Sequence, residues 1–294
     1  RMNPAGTTCS PRSPRPAPWR AHREPSPTAP QRAVTAGSTN ASWSAGPTHA
    51  SRAHPVAEGA FKVGESTVEI GAHYLANVLG LRAHLESEHI RKFGFRFFFS
   101  EGRRDIDQCT ELGVSRILPT PSWQIDRGRF ENFLGDEARR LGVHFHDGAT
   151  VRGIELGADQ DAHAIIFEHG GDTRTAAARW LVDASGRAGL LKRKLDLAQT
   201  TDHDANAVWW RVDGLIDPKT WSDDAEWLAR CTPPDRWRST NHMCGPGYWF
   251  WLIPLSSGAH SLGIVCDATM HPLETMNTHE KAMAWLRIHQ PRMA

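Results

Sequence analysis

Residues Gly247 to Leu255 read G-Y-W-F-W-L-I-P-L, a run in which two tryptophans precede an Ile-Pro pair. Aromatic and β-branched residues in such density favour an extended strand. Alternate side chains of a strand share a face, so Trp249 and Trp251 are expected side by side, with Phe250 and Leu252 on the opposite face. Plain core packing is a sufficient use for such a wall of tryptophans.

The sequence on both sides of this run indicates the fold class. From Ala207 to Asp267 the chain is rich in tryptophan and has the pattern of antiparallel strands, and Thr278 to His289 reads as an amphipathic helix. Before residue 207, strands alternate with helices, which suggests a mainly parallel sheet. We therefore predict an α/β fold, with a nucleotide-binding domain over 59–206 interleaved with a β-rich substrate region over 207–294.

Hydrophobic spacing and stop signals place the elements of the first region. The expected helices run from Val68 to Leu79, from Gln124 to Leu141 and from Arg187 to Leu195. The expected strands are 91–99, Val143 to Phe145, Ala164 to Glu168 and Trp180 to Asp183, with a turn at Gly170-Gly171 between the last two. Strict alternation over the first strand predicts one face with Phe93, Phe95, Phe97 and Phe99 and another with Lys92, Gly94, Arg96 and Phe98.

The first 58 residues have a different composition from the rest. They hold ten of the nineteen prolines and contain no leucine or isoleucine, so they cannot form a core. Two interpretations remain open, a disordered tail and the out-of-frame translation of a GC-rich gene. Because the chain also stops just after the last predicted helix, we expect a fragment that is truncated at both ends.

Charge and cysteine content limit the function classes. Lys and Arg total 34 against 33 Asp and Glu, a balance that argues against nucleic acid or an anionic membrane as partner. The five cysteines form no C-x-x-C pair, which argues against a metal site and a disulfide framework. No apolar run is long enough to span a membrane, so the expected location is the cytoplasm.

Four short stretches, in this order, are similar to motifs of one enzyme family. They are Val63-Gly64-Glu65-Ser66-Thr67, Lys92 followed by Arg96-Phe97, Trp180-Leu181-Val182-Asp183-Ala184-Ser185-Gly186-Arg187, and Trp249-x-Trp251-x-Ile253-Pro254. Together they resemble the flavin-dependent halogenases, a branch of the FAD-dependent monooxygenase superfamily. The last stretch, W-x-W-x-I-P, is the specific one, since the others are weak alone or mark only the superfamily.

The resemblance implies a fold and a chemistry. It implies an FAD-binding, Rossmann-like domain of the para-hydroxybenzoate hydroxylase type, reduced FAD delivered by a separate flavin reductase, and halide as co-substrate. The organic substrate would be a small aromatic molecule, either free or bound to a carrier protein. Lys92 would direct hypohalous acid to that substrate, and Glu65 would assist in catalysis. Trp249, Trp251, Ile253 and Pro254 would separate the substrate from the flavin.

The resemblance also implies cofactor contacts, each of which has a simpler structural alternative. The implied contacts are Ser66, Thr67, Arg127, Asp183, Ser185 and Gly186. Ser66 and Thr67 could equally cap a helix, and the residues around Asp183 could form an ordinary strand-to-helix turn. Arg127 could be a solvated helix arginine, and Lys92 a solvated lysine on a strand.

Two departures from the family pattern leave the activity open. The G-x-G-x-x-G that opens the family's dinucleotide fold is absent, and a C-terminal G-D segment beside the flavin is also not found. Two alternatives to a halogenase follow. One is a flavin monooxygenase that hydroxylates without halide, and the other is an inactive, truncated family member that does not bind FAD.

Overall fold

The computed structural model describes residues 62–100, 103 and 105–293. The prediction made for residues 1–58 lies outside this part of the chain. The strands are β1 Glu65–Ser66, β2 Ile90–Arg91, β3 Phe95–Phe99, β4 Thr110–Gly113, β5 Trp123–Ile125, β6 Thr150–Glu155, β7 His163–His169, β8 Asp172–Ala178, β9 Ala205–Asp213, β10 Thr240–Gly245, β11 Tyr248–Pro254 and β12 Ala259–Asp267. The α-helices are α1 Glu69–His73, α2 Arg82–Glu88, α3 Arg127–Arg140, α4 Leu190–Lys194, α5 Ala225–Ala229 and α6 His279–His289.

A six-stranded sheet in the order β4-β3-β10-β11-β12-β9 forms the centre of the described residues. Its strands β9 to β12 pair antiparallel, as the sequence predicts, because short turns join β10 to β11 and β11 to β12. The mainly parallel sheet is not found in the described part, where β3–β10 is the parallel pair of strands. Tight connections such as Gly170-Gly171, between β7 and β8, allow only antiparallel neighbours.

The strand β11 has the two faces that its alternation predicts. Tyr248, Phe250 and Leu252 enter the main core, which α5 and α6 cover with Trp227 and Trp285 among others. Trp251 and Ile253 belong to a smaller apolar cluster on the other side of the sheet. The two helices therefore occupy one face of the sheet and leave the tryptophan face for other uses.

The predicted strand 91–99 is broken at Lys92 to Gly94, which corrects the expected alternation. Arg91 ends β2 in a separate small sheet, and β3 begins only at Phe95. Gly94 has a φ of 73°, and a Cβ there would lie 2.9 Å from a methyl group of Val114, so the backbone turns where only glycine fits well. Because of this turn, the Lys92 side chain lies against Phe95 instead of sharing a face with Arg96.

The predicted helix bounds agree best with the structure where a glycine or proline follows the last helical turn. Residues 69–78 are helical, α1 continuing into a π-helical turn at Tyr74–Val78, and Gly80 follows with a φ of 70°. The structure confirms α6. The predicted helix from Gln124 begins only at Arg127, because Gln124 and Ile125 belong to β5 and Asp126 is the N-cap. The helix predicted from Arg187 to Leu195 is reduced to α4 after a 3₁₀ turn at Gly186–Ala188. The helix α2 has no counterpart among the predictions.

The structure contradicts two predicted strands, Val143 to Phe145 and Trp180 to Asp183. The second was the predicted partner in a hairpin, and another segment takes its place. Val143 to Phe145 is loop. Ala164 to Glu168 lies within β7 as predicted, but its partner after the glycine turn is β8, whose D-T-R-T-A-A-A sequence has little apolar signal. The apolar Trp180 to Asp183 is not a strand, and Trp180 and Val182 are 82% and 81% exposed. Apolar content alone therefore misplaced this strand.

Candidate active site

Aromatic side chains line the sheet face that the core helices leave open. His242 on β10 pairs in register with Trp251 on β11 and with Phe97 on β3, and such paired residues share a face. The Phe97 and His242 rings stack with centroids 4.7 Å apart and an interplanar angle of 14°. Phe95 lies beside them, 6.2 Å from Phe97 between ring centroids. A continuous aromatic row therefore crosses three strands.

The two tryptophans of β11 differ in exposure. Trp251 is 9% exposed, and its ring covers Gly263, where a Cβ would lie 2.2 Å from the ring. Its indole Nε1 lies 3.4 Å from the hydroxyl of Ser261, to which it donates. Trp249 is 42% exposed. Trp251 is therefore fixed within the wall, whereas Trp249 offers an open aromatic surface.

The segment Gly64 to Thr67 is held against this face by long-range hydrogen bonds. The Gly64 amide donates to the Ser261 hydroxyl at 3.1 Å, and the Thr240 hydroxyl donates to that of Ser66 at 2.6 Å. A Cβ at Gly64 would lie 2.6 Å from the Leu255 side chain, so this close approach requires glycine. The segment is therefore a docked strand rather than a free loop.

The expected helix cap by Ser66 or Thr67 is not formed. Helix α1 has Val68 as its N-cap, without a side-chain hydrogen bond. The Thr67 hydroxyl instead donates to the Trp123 carbonyl at 3.0 Å and accepts from the Trp123 amide at 2.8 Å. This pair of bonds fixes the backbone of Thr67, whose carbonyl contacts the next residue of the site.

Lys92 is buried at one end of the aromatic row. It is 3% exposed, its Nζ donates to the Thr67 carbonyl at 3.0 Å, and the same nitrogen lies 3.3 Å from the centroid of the Phe95 ring. Burial lowers the pKa of Lys92 to about 8, although the charge of Glu69 acts in the opposite direction. The solvated alternative for this lysine is therefore wrong, and its neutral amine is accessible close to neutral pH.

Glu65 and Arg127 form a half-exposed charged pair beside this lysine segment. The Arg127 guanidinium donates to Glu65 at 3.0 Å and to Glu131 at 2.5 Å, and Lys62 also pairs with Glu131. Arg127 is thus held by two carboxylates instead of being a solvated helix arginine. Within the described residues, no hydrogen bond links Glu65 to Lys92.

The turn from Asp183 to Gly186 is stabilised by its own hydrogen bonds. The Asp183 carboxylate accepts from the amides of Ser185 at 2.9 Å and Leu191 at 2.7 Å, and the Ser185 hydroxyl accepts from Leu190 at 3.2 Å. The hydrogen bonds from Ser185 and Leu191 hold the pKa of Asp183 below its usual range. Gly186 has a φ of 61°. Among the described residues this turn satisfies itself and makes no hydrogen bond to the aromatic face.

Arg96 has a structural role on the opposite side of the sheet. Its guanidinium pairs with Glu111 and donates to the Val114 carbonyl. Glu111 also accepts from Arg236 at 2.9 Å, and the Arg236 guanidinium lies 3.9 Å from the centroid of the Trp227 ring. The arginine that follows Lys92 in the family-like pattern therefore anchors β3 and does not enter the site.

Sequence reasoning missed His242, because its spacing to other histidines and cysteines does not match a metal-binding motif. Burial lowers the pKa of His242 to about 4; hydrogen-bonding backbone groups of Arg96 and Thr240 act in the opposite direction, and the charge of Lys92 acts with burial. The available signal was positional, since His242 lies on the strand that precedes the tryptophan run, one hairpin away from Trp251. No group of three His, Cys, Asp or Glu side chains in the described residues is arranged to bind a metal.

Comparison with known proteins places these features in a family. A family model for tryptophan halogenases matches residues 113–292. The flavin-dependent halogenase chlA of Dictyostelium discoideum is 27% identical over 258 residues, which cover 78% of this chain and 41% of that protein. The flavin-dependent halogenase armH3 of Armillaria mellea is 30% identical over 151 residues, covering 49% of this chain and 28% of the relative. The chain thus spans 41% and 28% of the length of these two relatives.

The fold has solved counterparts. A crystal structure of the halogenase PltM in complex with phloroglucinol and FAD aligns with a TM-score of 0.59 and 19% identity, covering 74% of this chain and 43% of that one. This likeness establishes the fold, in which helices and several sheets combine as in the halogenases. In the described residues, no helix is both long and apolar enough to cross a membrane.

Proposed function

The chain belongs to the tryptophan halogenase family, and on that premise we propose that it forms the lysine-bearing part of a flavin-dependent halogenase. The reaction places an electrophilic halogen on an aromatic ring. Buried Lys92, with its amino group against Phe95 and the Thr67 carbonyl, is the observation that supports this proposal most strongly. A buried amine held by one backbone carbonyl and one aromatic ring, without a salt bridge among the described residues, has few structural uses.

Lys92 can act on hypohalous acid in either of its protonation states. As an ammonium it donates a hydrogen bond that holds and polarises the acid. As a neutral amine it attacks the halogen, forming an N–X bond while the O–X bond breaks and water leaves with one amine proton. Its lowered pKa, about 8, makes both forms available near neutral pH. Either form keeps the electrophile at one end of the aromatic row.

The described residues fit one side of a flavin site. Trp249 offers an open aromatic surface, Glu65 and Arg127 form a half-exposed pair, and the Gly186 turn leads into a short helix. Ser66, Thr67, Asp183 and Ser185 already use their side chains within the protein, so their contribution to such a site would be through the backbone. Bound FAD, reduced by a separate reductase, supplies together with O₂ the oxidising equivalent that converts halide to hypohalous acid.

The tryptophan wall supports the separation of oxidation from halogenation. Trp251 is locked over Gly263, and Ile253 packs beside it, so this part of β11 cannot move aside easily. Pro254 ends the strand and fixes the direction of the following turn. We propose that these residues and Trp249 keep an aromatic substrate, free or carrier-bound, away from the oxidant, in a cytoplasmic enzyme.

Product analysis with reduced FAD, bromide and an electron-rich phenol tests this function. Brominated product that is lost in Lys92→Met and retained in the exposed control Lys219→Met is expected. Hydroxylated product in the absence of halide would instead favour a flavin monooxygenase. A protein that stays colourless after FAD addition and gel filtration would show that this chain does not retain the cofactor, and would contradict catalysis by the chain alone.

A further inference from the structure

We propose that His242 is a substrate-binding residue of this site, whose open imidazole nitrogen accepts a hydrogen bond from an O–H or N–H group on the aromatic substrate. The inference rests on the proposed function and adds to it the group that orients the ring. It gives the aromatic row a polar position between Phe97 and Trp251, in addition to Lys92 at one end. The expected ligand is therefore an electron-rich aromatic molecule with a hydrogen-bond donor on its ring.

The position of His242 in the sheet places it between the two parts of the site. Its register partners are Phe97 on one side and Trp251 on the other. Phe95 lies 5.9 Å from it between ring centroids, and the Lys92 amino group lies over that same Phe95 ring. A molecule that contacts His242 is thus one aromatic ring away from the lysine.

The two nitrogens of the imidazole have different surroundings. Nδ1 is enclosed by protein and has no hydrogen-bond partner. Nε2 is not among the buried atoms that lack a partner. Backbone groups of Arg96 and Thr240 lie close enough to the ring to raise its pKa, so the protein approaches the ring from the strand side. Since His242 is only half-buried, Nε2 is the ring nitrogen that a ligand can reach. Stacking on Phe97 fixes the plane of the ring, so the direction of this nitrogen is set in advance.

The charge state of the ring suits an acceptor. Burial lowers the pKa of His242 to about 4, which keeps the imidazole neutral at neutral pH although hydrogen-bonding backbone groups of Arg96 and Thr240 raise it; the positive charge of Lys92 acts in the same direction as burial. A neutral imidazole has one lone pair to accept with, whereas the protonated form has none. An accepted O–H or N–H bond also increases the electron density of the substrate ring, which favours attack on an electrophile.

Anchoring the donor group determines which ring carbon faces Lys92. In the reaction, a ring C–H bond is replaced by a C–X bond, and the ring proton leaves with hydroxide from hypohalous acid as water. If the donor is held at His242, the carbon presented to Lys92 is fixed relative to that donor. His242 would therefore contribute to the position of halogenation as well as to affinity.

A pair of matched probes tests this binding without flavin or halide. The affinities of the full chain for 4-fluorophenol and 4-fluoroanisole are compared by ¹⁹F NMR titration, because the two differ mainly in the O–H donor. One hydrogen bond corresponds to a preference for the phenol of about tenfold. His242→Phe preserves the stacked ring without its nitrogens, and it should remove this preference while the anisole still binds.

Two further measurements make the result specific. The ¹⁵N signal of His242 Nε2 should shift on addition of the phenol and not of the anisole. The exposed control His144→Phe should keep the preference, and far-UV circular dichroism should show that both variants are folded. Equal affinities in the unmodified chain, a preference that survives in His242→Phe, or no saturable binding of either probe would overturn the proposal. If the unmodified chain prefers the phenol but gives no brominated product, the result counts against the proposed function and not against the role of His242.

Discussion

The two motif-bearing regions of this protein are held together in different ways. On the aromatic face, Gly64 bonds to Ser261, Ser66 to Thr240 and Lys92 to Thr67, so residues far apart in the sequence meet. In the turn after β8, Asp183 bonds to Ser185 and Leu191, which are its close neighbours. Both motifs are recognisable in the sequence, yet the first needs the complete sheet and the second needs only its own segment. A sequence motif therefore does not reveal how far its geometry depends on the rest of the fold.

The largest expected contrast concerns the ion network that anchors β3. Glu111→Ala leaves Arg96 and Arg236 buried without their carboxylate, and should lower the free energy of unfolding by about 3–5 kcal/mol. Chemical denaturation measures this change. In the hairpin, Glu168→Ala removes only an exposed pair with Arg152 and should leave the midpoint almost unchanged. Similar midpoints for the two variants would remove the contrast.

The buried lysine should make the sheet region sensitive to pH. A lysine with a folded-state pKa below its unfolded value binds fewer protons when folded, so stability increases as pH rises from about 8 toward 10.5. The gain is at most about 3 kcal/mol. The free energy of unfolding is measured against pH for the unmodified chain and for Lys92→Met, and the gain should be absent in the variant. Lys194→Met in α4 is the exposed control. Parallel profiles for the unmodified chain and Lys92→Met would contradict a lowered pKa.

A change beneath the tryptophan wall sharpens the comparison within the sheet. Gly263→Val inserts a side chain where a Cβ would already lie 2.2 Å from the Trp251 ring. Overpacking of this kind costs about 1–3 kcal/mol. The displaced indole should also shift the tryptophan fluorescence to longer wavelength. Gly71→Val in α1, where a Cβ would lie 4.0 Å from its nearest neighbour and φ is not positive, is the control, and its fluorescence should remain unchanged.

The smallest expected change in stability comes from Ser261→Ala, and it distinguishes long-range from local hydrogen bonding most directly. Ser261→Ala removes the acceptor for the Gly64 amide and the Trp251 indole, at a cost of about 1–2 kcal/mol. Hydrogen exchange should then increase at residues 64–67 as well as along β11 and β12. Asp183→Asn should increase exchange only at residues 185–191. Protection of residues 64–67 that is unaffected by Ser261→Ala would show that this segment is not held by the sheet.

The same distinction explains which features the sequence could predict. The alternation of β11, the helix α6 and the Gly170-Gly171 turn depend on neighbouring residues, and the structure confirms them. The break at Lys92 to Gly94 depends on distant backbone partners, since the Lys92 amide donates to Ser122 and the Phe93 amide to Arg238. Periodicity along one strand contains no information about such partners.

The candidate site follows the same rule. Lys92 could be selected from a motif, but its contact with Phe95 could not, because the turn at Gly94 reverses the expected face. Ser66 and Thr67 do not cap α1, because their hydroxyls bond to Thr240 and Trp123; their contact with a cofactor stays a prediction. His242 belongs to no motif and becomes visible only through its register with Trp251.

The parallel pairing of β3 with β10 has a consequence for biosynthesis. The two strands are separated by the whole stretch from 100 to 239, so their contact has high sequence separation and must form late. While the ribosome is still synthesising that stretch, β3 has β4 on one side and an unpaired edge on the other. A nascent chain released before residue 240 would therefore expose an aggregation-prone edge next to Lys92. A chaperone bound to that edge would keep β3 available until β10 has been synthesised.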